Sequence, residues 1–414
     1  MKNISRFFTL YWIVYFPTCI AYNDLPGFSS VDEAMTLLLL LYTFMMYGSK
    51  FINKKPWKEF MVCLGLIAFY VVYSLLFGAN VKDAVWLDLM QEIRPYSIIF
   101  CTWILNPQFT RKQKKWMLIT MIVTLFSWIM YHPQALDSQV EAEFPVLGQL
   151  AICTGMSYYL FTKDTKMNRL IALGLVLTGM LAPKFKFMGE VVCFIAFIFF
   201  LKHRLNFKSP KTMIYCALVM FVVLIVTWSK FDVYYVSGLD NEYLARPMTY
   251  KTSVKILWDY LPFGSGMGSF ACNGAWKYYS PLYFTYNLDG IWGLSPDTGY
   301  FICDAYYPTL AQFGIVGVFF FCWFWKRRLA AFDIIADMRY YRVAMITFCC
   351  LAIEQTADSS WLSGKGMGYC MLIALCLNAN RNQMMEMKRQ QILKRKKELL
   401  LEEKRKQMEG MSND

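Results

Sequence analysis

Blocks of roughly 16 to 22 apolar residues recur along the chain with little charge inside them, and their length constrains the fold more than any other feature. A helix rises 1.5 Å per residue, so about 20 such residues cross the roughly 30 Å of a bilayer's hydrocarbon. Strands of an outer-membrane barrel would instead run about 10 residues and alternate apolar with polar. The chain is 57% hydrophobic and 17% charged over 414 residues, too little polar surface for a soluble domain of that length. Spans are expected near 7–22, 34–48, 60–78, 95–106, 116–131, 145–161, 170–183, 187–201, 213–229, 308–325, 343–357 and 361–379. The expected fold is therefore an all-α polytopic membrane protein of about twelve transmembrane helices.

A net charge of +13 would suit a nucleic-acid binder if it were spread over one surface. It is not. With the N-terminus in the cytoplasm, the basic segments Lys50–Lys58, Arg111–Lys115, Lys163–Arg169, Lys202–Lys211 and Lys326–Arg342 all fall inside, as the positive-inside bias requires. The C-terminus then also lies inside. The run after Met1–Arg6 has no small-residue cleavage site, so the first helix is expected to remain as a signal anchor. Residues 1–229 hold nine spans, 230–307 one large extracytoplasmic loop, 308–380 three more spans, and 381–414 a basic cytoplasmic tail. The loop is rich in Tyr, Trp and Phe, which marks a folded cap over the outer face rather than a disordered linker. Within it Lys251–Tyr260 has helical character and Pro262–Gly268 breaks it. The tail reads equally as a helix on the anionic inner leaflet or as a solvated one. Most of the 13 cysteines sit in apolar runs as small buried hydrophobes. Cys272 and Cys303 lie outside those runs or at their outer edge, where a disulfide between them stays open.

The informative residues are cations kept on the outer side against the topology bias. Arg94 opens the fourth span, Lys184 and Lys186 fill the turn between spans seven and eight, and Lys365 lies just inside the last. Arg246, Lys251 and Lys255 accompany the loop helix and are expected to form a phosphate-facing stripe along one face. Such cations suit an anionic lipid headgroup, above all a diphosphate, which Arg holds with two donors at once. The plainer alternatives are an i,i+4 pair of Lys186 with Glu190, snorkelling by Lys365, and interface anchoring by Lys82 and Lys230. Asp297, Asp304, Glu354 and Asp358 supply carboxylates near the outer ends of the last three spans, as a base for a sugar hydroxyl or as cation partners. The two histidines lie outside the large loop. No cluster has metal-ligand spacing, so neither metal nor cofactor is expected. Gly264, Gly266 and Gly268 mark a tight turn, without the strand or the GK[ST] ending of a nucleotide loop.

This arrangement resembles the O-antigen ligase and O-antigen polymerase superfamily of bacterial membrane glycosyltransferases. The resemblance covers the plan of about twelve helices with a large external loop before the last three. Its local core is Arg246, then Leu261-Pro-Phe-Gly-Ser-Gly-Met-Gly-Ser-Phe270, similar to the family's P-x-G-x-G-x-G-x-F, then Asp304-Ala-Tyr-Tyr-Pro-Thr-Leu-Ala-Gln-Phe-Gly-Ile-Val-Gly317. The turn Leu181-Ala-Pro-Lys-Phe-Lys186 resembles the family's T-x-S-R turn with lysines in place of arginine. Where many relatives carry His-Asn before a tyrosine, this chain has Cys303-Asp304, so a histidine-based mechanism does not transfer and Asp304 is the natural substitute base.

The resemblance implies a metal-independent glycosyl transfer outside the inner membrane, from a glycan on undecaprenyl diphosphate. Polymerisation of a surface polysaccharide is expected, with ligase-type transfer to a lipid or protein acceptor as the alternative. Arg246 and Asp304 would act in catalysis, and Arg94, Lys184, Lys186, Lys251 and Lys255 would hold the diphosphate. The lipid-linked oligosaccharide, membrane lipid and a chain-length regulator are the partners that fit. A flippase or transporter is the rival from another class. It would normally show duplicated halves and broken helices near the midplane, and no internal repeat is visible.

Overall fold

Inside hydrocarbon every backbone N–H and C=O must be satisfied within its own segment, and these apolar runs answer by forming helices. The computed structural model describes residues 2–24, 30–50, 52–132, 145–181, 184–206, 208–387, 390–392 and 395, with no strand among the described residues. Nine longer helices come first: α1 (Lys2–Asp24), α2 (Val31–Met45), α3 (Trp57–Phe77), α4 (Lys82–Leu105), α5 (Arg111–Tyr131), α6 (Pro145–Phe161), α7 (Lys166–Leu177), α8 (Phe185–Ile195) and α9 (Pro210–Tyr235). Next come α10 (Ala245–Asp259) and the short α11 (Asn273–Lys277), α12 (Pro281–Thr285) and α13 (Tyr306–Thr309), and then α14 (Gly314–Asp333), α15 (Met338–Ala357) and α16 (Met367–Leu377). Among the described residues three stretches are long and apolar enough to cross a membrane: α3, α9, and Tyr306–Asp333, which contains α14.

Successive long helices run between two ends of one bundle. At one end α3 begins beside the end of α14, where Glu59 takes both Arg327 and Arg328. Arg328 is buried there over the rings of Phe100, Trp103 and Phe324, at 5.2, 4.8 and 5.1 Å. At the same end Arg342 joins α15 to Asp164, between α6 and α7, and to the Leu201 carbonyl. At the opposite end the Tyr15 hydroxyl of α1 donates to the Gly364 carbonyl at 2.8 Å. There too Gln149 of α6 donates to Ser360 at 2.6 Å. The main core gathers around Trp361, ringed by Tyr96, Tyr306, Phe321, Phe324 and Trp325. All but the last residue of α16 are buried, which places it at the centre, whereas α9 has no buried residue and stands at the rim.

Residues 236–305 cover the second end as a cap with its own apolar cluster, including Ile256, Phe270, Tyr283, Leu288 and Ile302. The glycine turn is its clasp. Gly264, Gly266 and Gly268 have φ of 82°, 92° and 76°, the left-handed region that favours glycine. A Cβ on Gly268 would lie 2.7 Å from the Ala84 backbone, and one on Gly266 would lie 2.9 Å from Gly78. The amides of the turn's three glycines serve protein acceptors, as does that of Met267. Gly264 N–H donates to Tyr260, Gly266 to Gln312, Met267 to the Ser74 hydroxyl, and Gly268 to Asp88 and the Gln312 side chain.

Most helix boundaries differ from the expected spans by a few residues, the last one starting at Met367 rather than 361, and two differences bear on the site. The fourth helix begins at Lys82 rather than at Pro95, because Asp88 and Glu92 face inward at a one-turn spacing instead of marking a loop. The loop helix begins at Ala245 instead of Lys251. The turn residues 182–183, the loop 133–144 and most of the tail lie outside the described residues.

Candidate functional site

The capped end holds a half-buried layer of charges assembled from α8, α10, the end of the cap, α15 and the turn before α16. Its frame follows from how α15 ends. The last carbonyls of a helix have no intrahelical partner, and here tyrosines supply one. Tyr235 and Tyr250 both donate to the Thr356 carbonyl, at 2.6 and 2.9 Å, and one turn earlier Tyr307 adds a bond to the Ala352 carbonyl at 3.1 Å. These bonds draw the end of α9, the cap helix α10 and the start of α13 against α15.

Arg246 lies on the first turn of α10. Its Nε donates to Asp304 Oδ2 at 2.7 Å, its Nη2 reaches the same oxygen, and its guanidinium sits 4.2 Å over the Tyr234 ring. Burial raises the Asp304 carboxyl above the ordinary range, and the opposing pull of Arg246 does not cancel that rise. The charges of Asp358 and Lys186 also act on Asp304, which makes one electrostatic site of the two clusters.

Lys186, in the first turn of α8, donates to Glu354 at 2.6 Å and to Asp358 at 2.7 Å. Lys365 approaches Asp358 at 3.8 Å, and the Ser360 hydroxyl donates to Asp358 at 2.9 Å and lies 3.1 Å from Glu354. Burial alone would raise Asp358, but Lys186 and Lys365 outweigh it and hold the carboxyl well below its usual range. Deeper in the bundle Glu190 accepts from Tyr369 at 3.1 Å. Arg246, Lys186 and Lys365 thus converge with Asp304, Glu354 and Asp358 at one end of the bundle. An anion that took up the cations would release carboxylates beside it.

The other expected site residues fall elsewhere or do other work. Arg94 is 2% exposed, paired with Asp32 at 2.8 Å and Glu33 at 2.6 Å and bonded to the Leu362 carbonyl, so it locks α2 and the 362 turn onto α4. Lys251 and Lys255 are exposed on α10 and share no face with Arg246: five residues turn a helix about 140° beyond a full circle. The expected three-cation stripe is therefore not formed. Lys184 is half-buried just ahead of α8. Gly264, Gly266 and Gly268 form the clasp, with their amides already used. Lys186 pairs with distant acids rather than with Glu190, and Lys365 turns to Asp358 instead of snorkelling. Lys82 donates to the Ser74 carbonyl at 3.0 Å, and Lys230 rests 5.8 Å over the Phe185 ring. Asp297 is exposed on the cap.

Cys272 and Cys303 are both free. Burial pushes both thiols up, Cys303 to about 11, so neither is a ready nucleophile near neutral pH. Among the described residues no group of three or more His, Cys, Asp or Glu could hold a metal ion. Sequence reading missed Tyr234 beneath Arg246, the Asp88–Gln312 clasp and the Asp32–Glu33 pair around Arg94. The one-turn spacing of Asp88 and Glu92 was the available signal for a helix with an acidic inner face. Compared with protein-family models and with curated protein sequences, the chain matches none at a significant level.

Proposed function

We propose that the chain is a membrane glycosyltransferase of the polymerase type that extends a surface polysaccharide from donors carried on undecaprenyl diphosphate. In this reading it has about twelve spans, both ends are cytoplasmic, and the cap lies outside the bacterial inner membrane. The observation that carries it is the Arg246–Asp304 pair set beside Lys186, Lys365 and Asp358 at one end of the bundle. The opposite end, rich in Arg and Lys, suits the cytoplasmic side.

The chemistry needs a cation that binds a leaving diphosphate and a base that takes a proton from the acceptor. The Arg246 fork can trade the Asp304 carboxylate for two phosphate oxygens. As the bond from the anomeric carbon to the diphosphate oxygen breaks, the diphosphate leaves with the electron pair, and Arg246 with the nearby lysines stabilises its growing charge. The acceptor hydroxyl attacks from the opposite face, so the anomeric centre inverts, and its proton passes to the freed Asp304. Anion binding and base release are then one event.

The test is purified protein with an oligosaccharide on undecaprenyl diphosphate. Longer glycans and free undecaprenyl diphosphate are expected, and both should fall sharply in Asp304→Asn and Arg246→Ala proteins of normal abundance. Movement of the intact lipid between leaflets with no bond cleaved would replace this reading with a flippase.

A further inference from the structure

Residues 273–301 of the cap sort their apolar side chains by kind. The aliphatic ones, Leu282, Leu288, Ile291 and Leu294, are all buried. The exposed large apolar residues are all aromatic: Trp276, Tyr278, Phe284, Trp292 and Tyr300. Three of these rings share one surface. A Cβ on Gly299 would lie 2.5 Å from Trp276 Cδ1, so it is the bare glycine backbone that seats this indole beside Tyr300. Trp292 packs edge-on against Phe301, with centroids 5.6 Å apart. The Phe301 amide donates to the Gly293 carbonyl at 2.9 Å, and the Gly293 amide donates to Thr298 Oγ1 at 3.1 Å. The loop carrying Trp292 and Tyr300 is thus closed on itself, while the two rings stay 65% and 69% exposed. A contiguous apolar surface of this kind, unlike rings scattered singly, marks a place where something binds.

The composition of the surface says what covers it. A lipid tail or the apolar face of a protein is met as well by Leu or Ile as by a ring, yet none is offered here. From Tyr278 to Asp304 the chain holds three Asp and no Lys or Arg, so anionic headgroups and phosphates find no cation in that stretch. Sugar rings fit both facts. The C–H bonds on one face of a pyranose are weakly positive and lie against the negative face of an aromatic ring. Hydroxyls at the rim of the sugar find an acceptor in Asp297, exposed on the same loop. Tyr300 precedes Asp304 by four residues, so their Cα atoms are at most about 14 Å apart, a reach that an oligosaccharide spans.

We propose that Trp276, Trp292 and Tyr300 form a platform on the cap that binds a glycan by stacking its uncharged sugar rings, and that it holds the chain being extended beside Arg246 and Asp304. The second half rests on the glycosyl-transfer reading; the first half does not.

The test uses the full-length protein in nanodiscs of neutral phospholipid, immobilised for interferometry. The probe is surface polysaccharide extracted from the cells that make the protein, freed of lipid by mild acid. Saturable binding is expected, and it should survive high salt because stacking is not screened. Trp292→Leu and Tyr300→Ala should each weaken it about fivefold, and Trp292→Tyr much less. Tyr243→Ala, an exposed ring elsewhere on the cap, should not weaken it. Trp292→Leu keeps an apolar side chain, so a surface made for lipid or protein would tolerate it. All four changes fall on exposed side chains, and equal thermal midpoints check that folding is kept. In the transfer assay Trp292→Leu and Tyr300→Ala should raise KM for long acceptors with kcat kept, and leave acceptors of a single repeat unit unaffected. No saturable binding to the wild type, or binding that Trp292→Leu and Tyr300→Ala leave intact, overturns the platform and returns the rings to a belt at the membrane surface. Binding to the platform without chain growth in the transfer assay would sink the glycosyl-transfer reading instead.

Discussion

Arg246 Nε and Asp304 Oδ2 stand 2.7 Å apart, a bond that joins the first turn of α10 to the end of the cap 58 residues later. The same guanidinium sits 4.2 Å over the Tyr234 ring at the end of α9, so one side chain ties three segments together. A lysine could keep the charge but neither the fork nor the stack.

Arg246→Lys is therefore expected to lose at least about tenfold in glycosyl transfer, roughly 1.4 kcal/mol of transition-state stabilisation. Lys255→Ala, exposed on another face of the helix, should stay near wild type. Rates per folded protein decide between them, with abundance in the membrane measured first. Equal losses in the two variants would remove Arg246 from its proposed role.

Asp304 gives the reaction a pH signature. A base must be ionised, and burial places this carboxyl above the usual value of about 4. Activity should be full well above its raised pKa and fall as pH drops through it, so the acid limb of kcat/KM turns above about pH 4. Arg246→Ala withdraws the opposing charge and should move that limb higher in whatever activity remains. A limb at or below the ordinary carboxylate value would point to another base.

The long helices were legible because an apolar run has one way to satisfy its backbone in hydrocarbon. The run read as 60–78 became α3 at Trp57–Phe77, and 213–229 became α9 at Pro210–Tyr235. The charged stretch before Arg94 misled, since Asp88 and Glu92 look like loop residues until α4 buries them. Within the site, Asp304 and Arg246 could each be singled out by their surroundings. Their pairing, and that of Lys186 with acids 168 and 172 residues away, belongs to tertiary packing that no local spacing encodes. The supposed stripe failed on simple helical arithmetic, because a five-residue step does not return to the same face.

Orientation can be checked without any substrate. Tyr243 and Trp292 are exposed on the cap, and Arg111 is exposed at the start of α5 at the opposite end. Cysteines introduced at 243 and 292 should react with an impermeant maleimide in intact cells, and one at 111 only after permeabilisation. The reverse pattern would invert the topology and with it the proposed reaction.

The glycine clasp predicts a stability difference between two superficially similar changes. Gly268→Ala must place a Cβ 2.7 Å from the Ala84 backbone at a φ of 76°, at a cost of about 1–3 kcal/mol from strain alone. Gly65→Ala, in the middle of α3 with nothing within 4 Å, should be stabilising by up to about 1 kcal/mol. Thermal unfolding in one detergent compares the two, and similar midpoints would show that the clasp does not hold the cap.

Lys186 separates electrostatic support from packing. Its ammonium donates to both Glu354 and Asp358, whose side chains are 2% and 11% exposed, and Glu190 lies one turn away on the same helix. Lys186→Met should cost about 3–5 kcal/mol near neutral pH, because buried carboxylates lose their counter-charge. Adding Glu354→Gln and Asp358→Asn removes those charges as well, and should return most of that loss. The pH dependence fixes the cause. In the wild type a depressed Asp358 contributes stability that is present above its ordinary value near 4 and lost as pH falls further towards its folded value. In Lys186→Met, Asp358 keeps only the more distant Lys365 and the Ser360 hydroxyl and gains more by protonation, so the variant's deficit against wild type should shrink steadily as pH falls from 7 to 4. A deficit that stays constant across that range would mean that Lys186 acts through its aliphatic stem, and the charge layer would lose its claim to be a poised anion site.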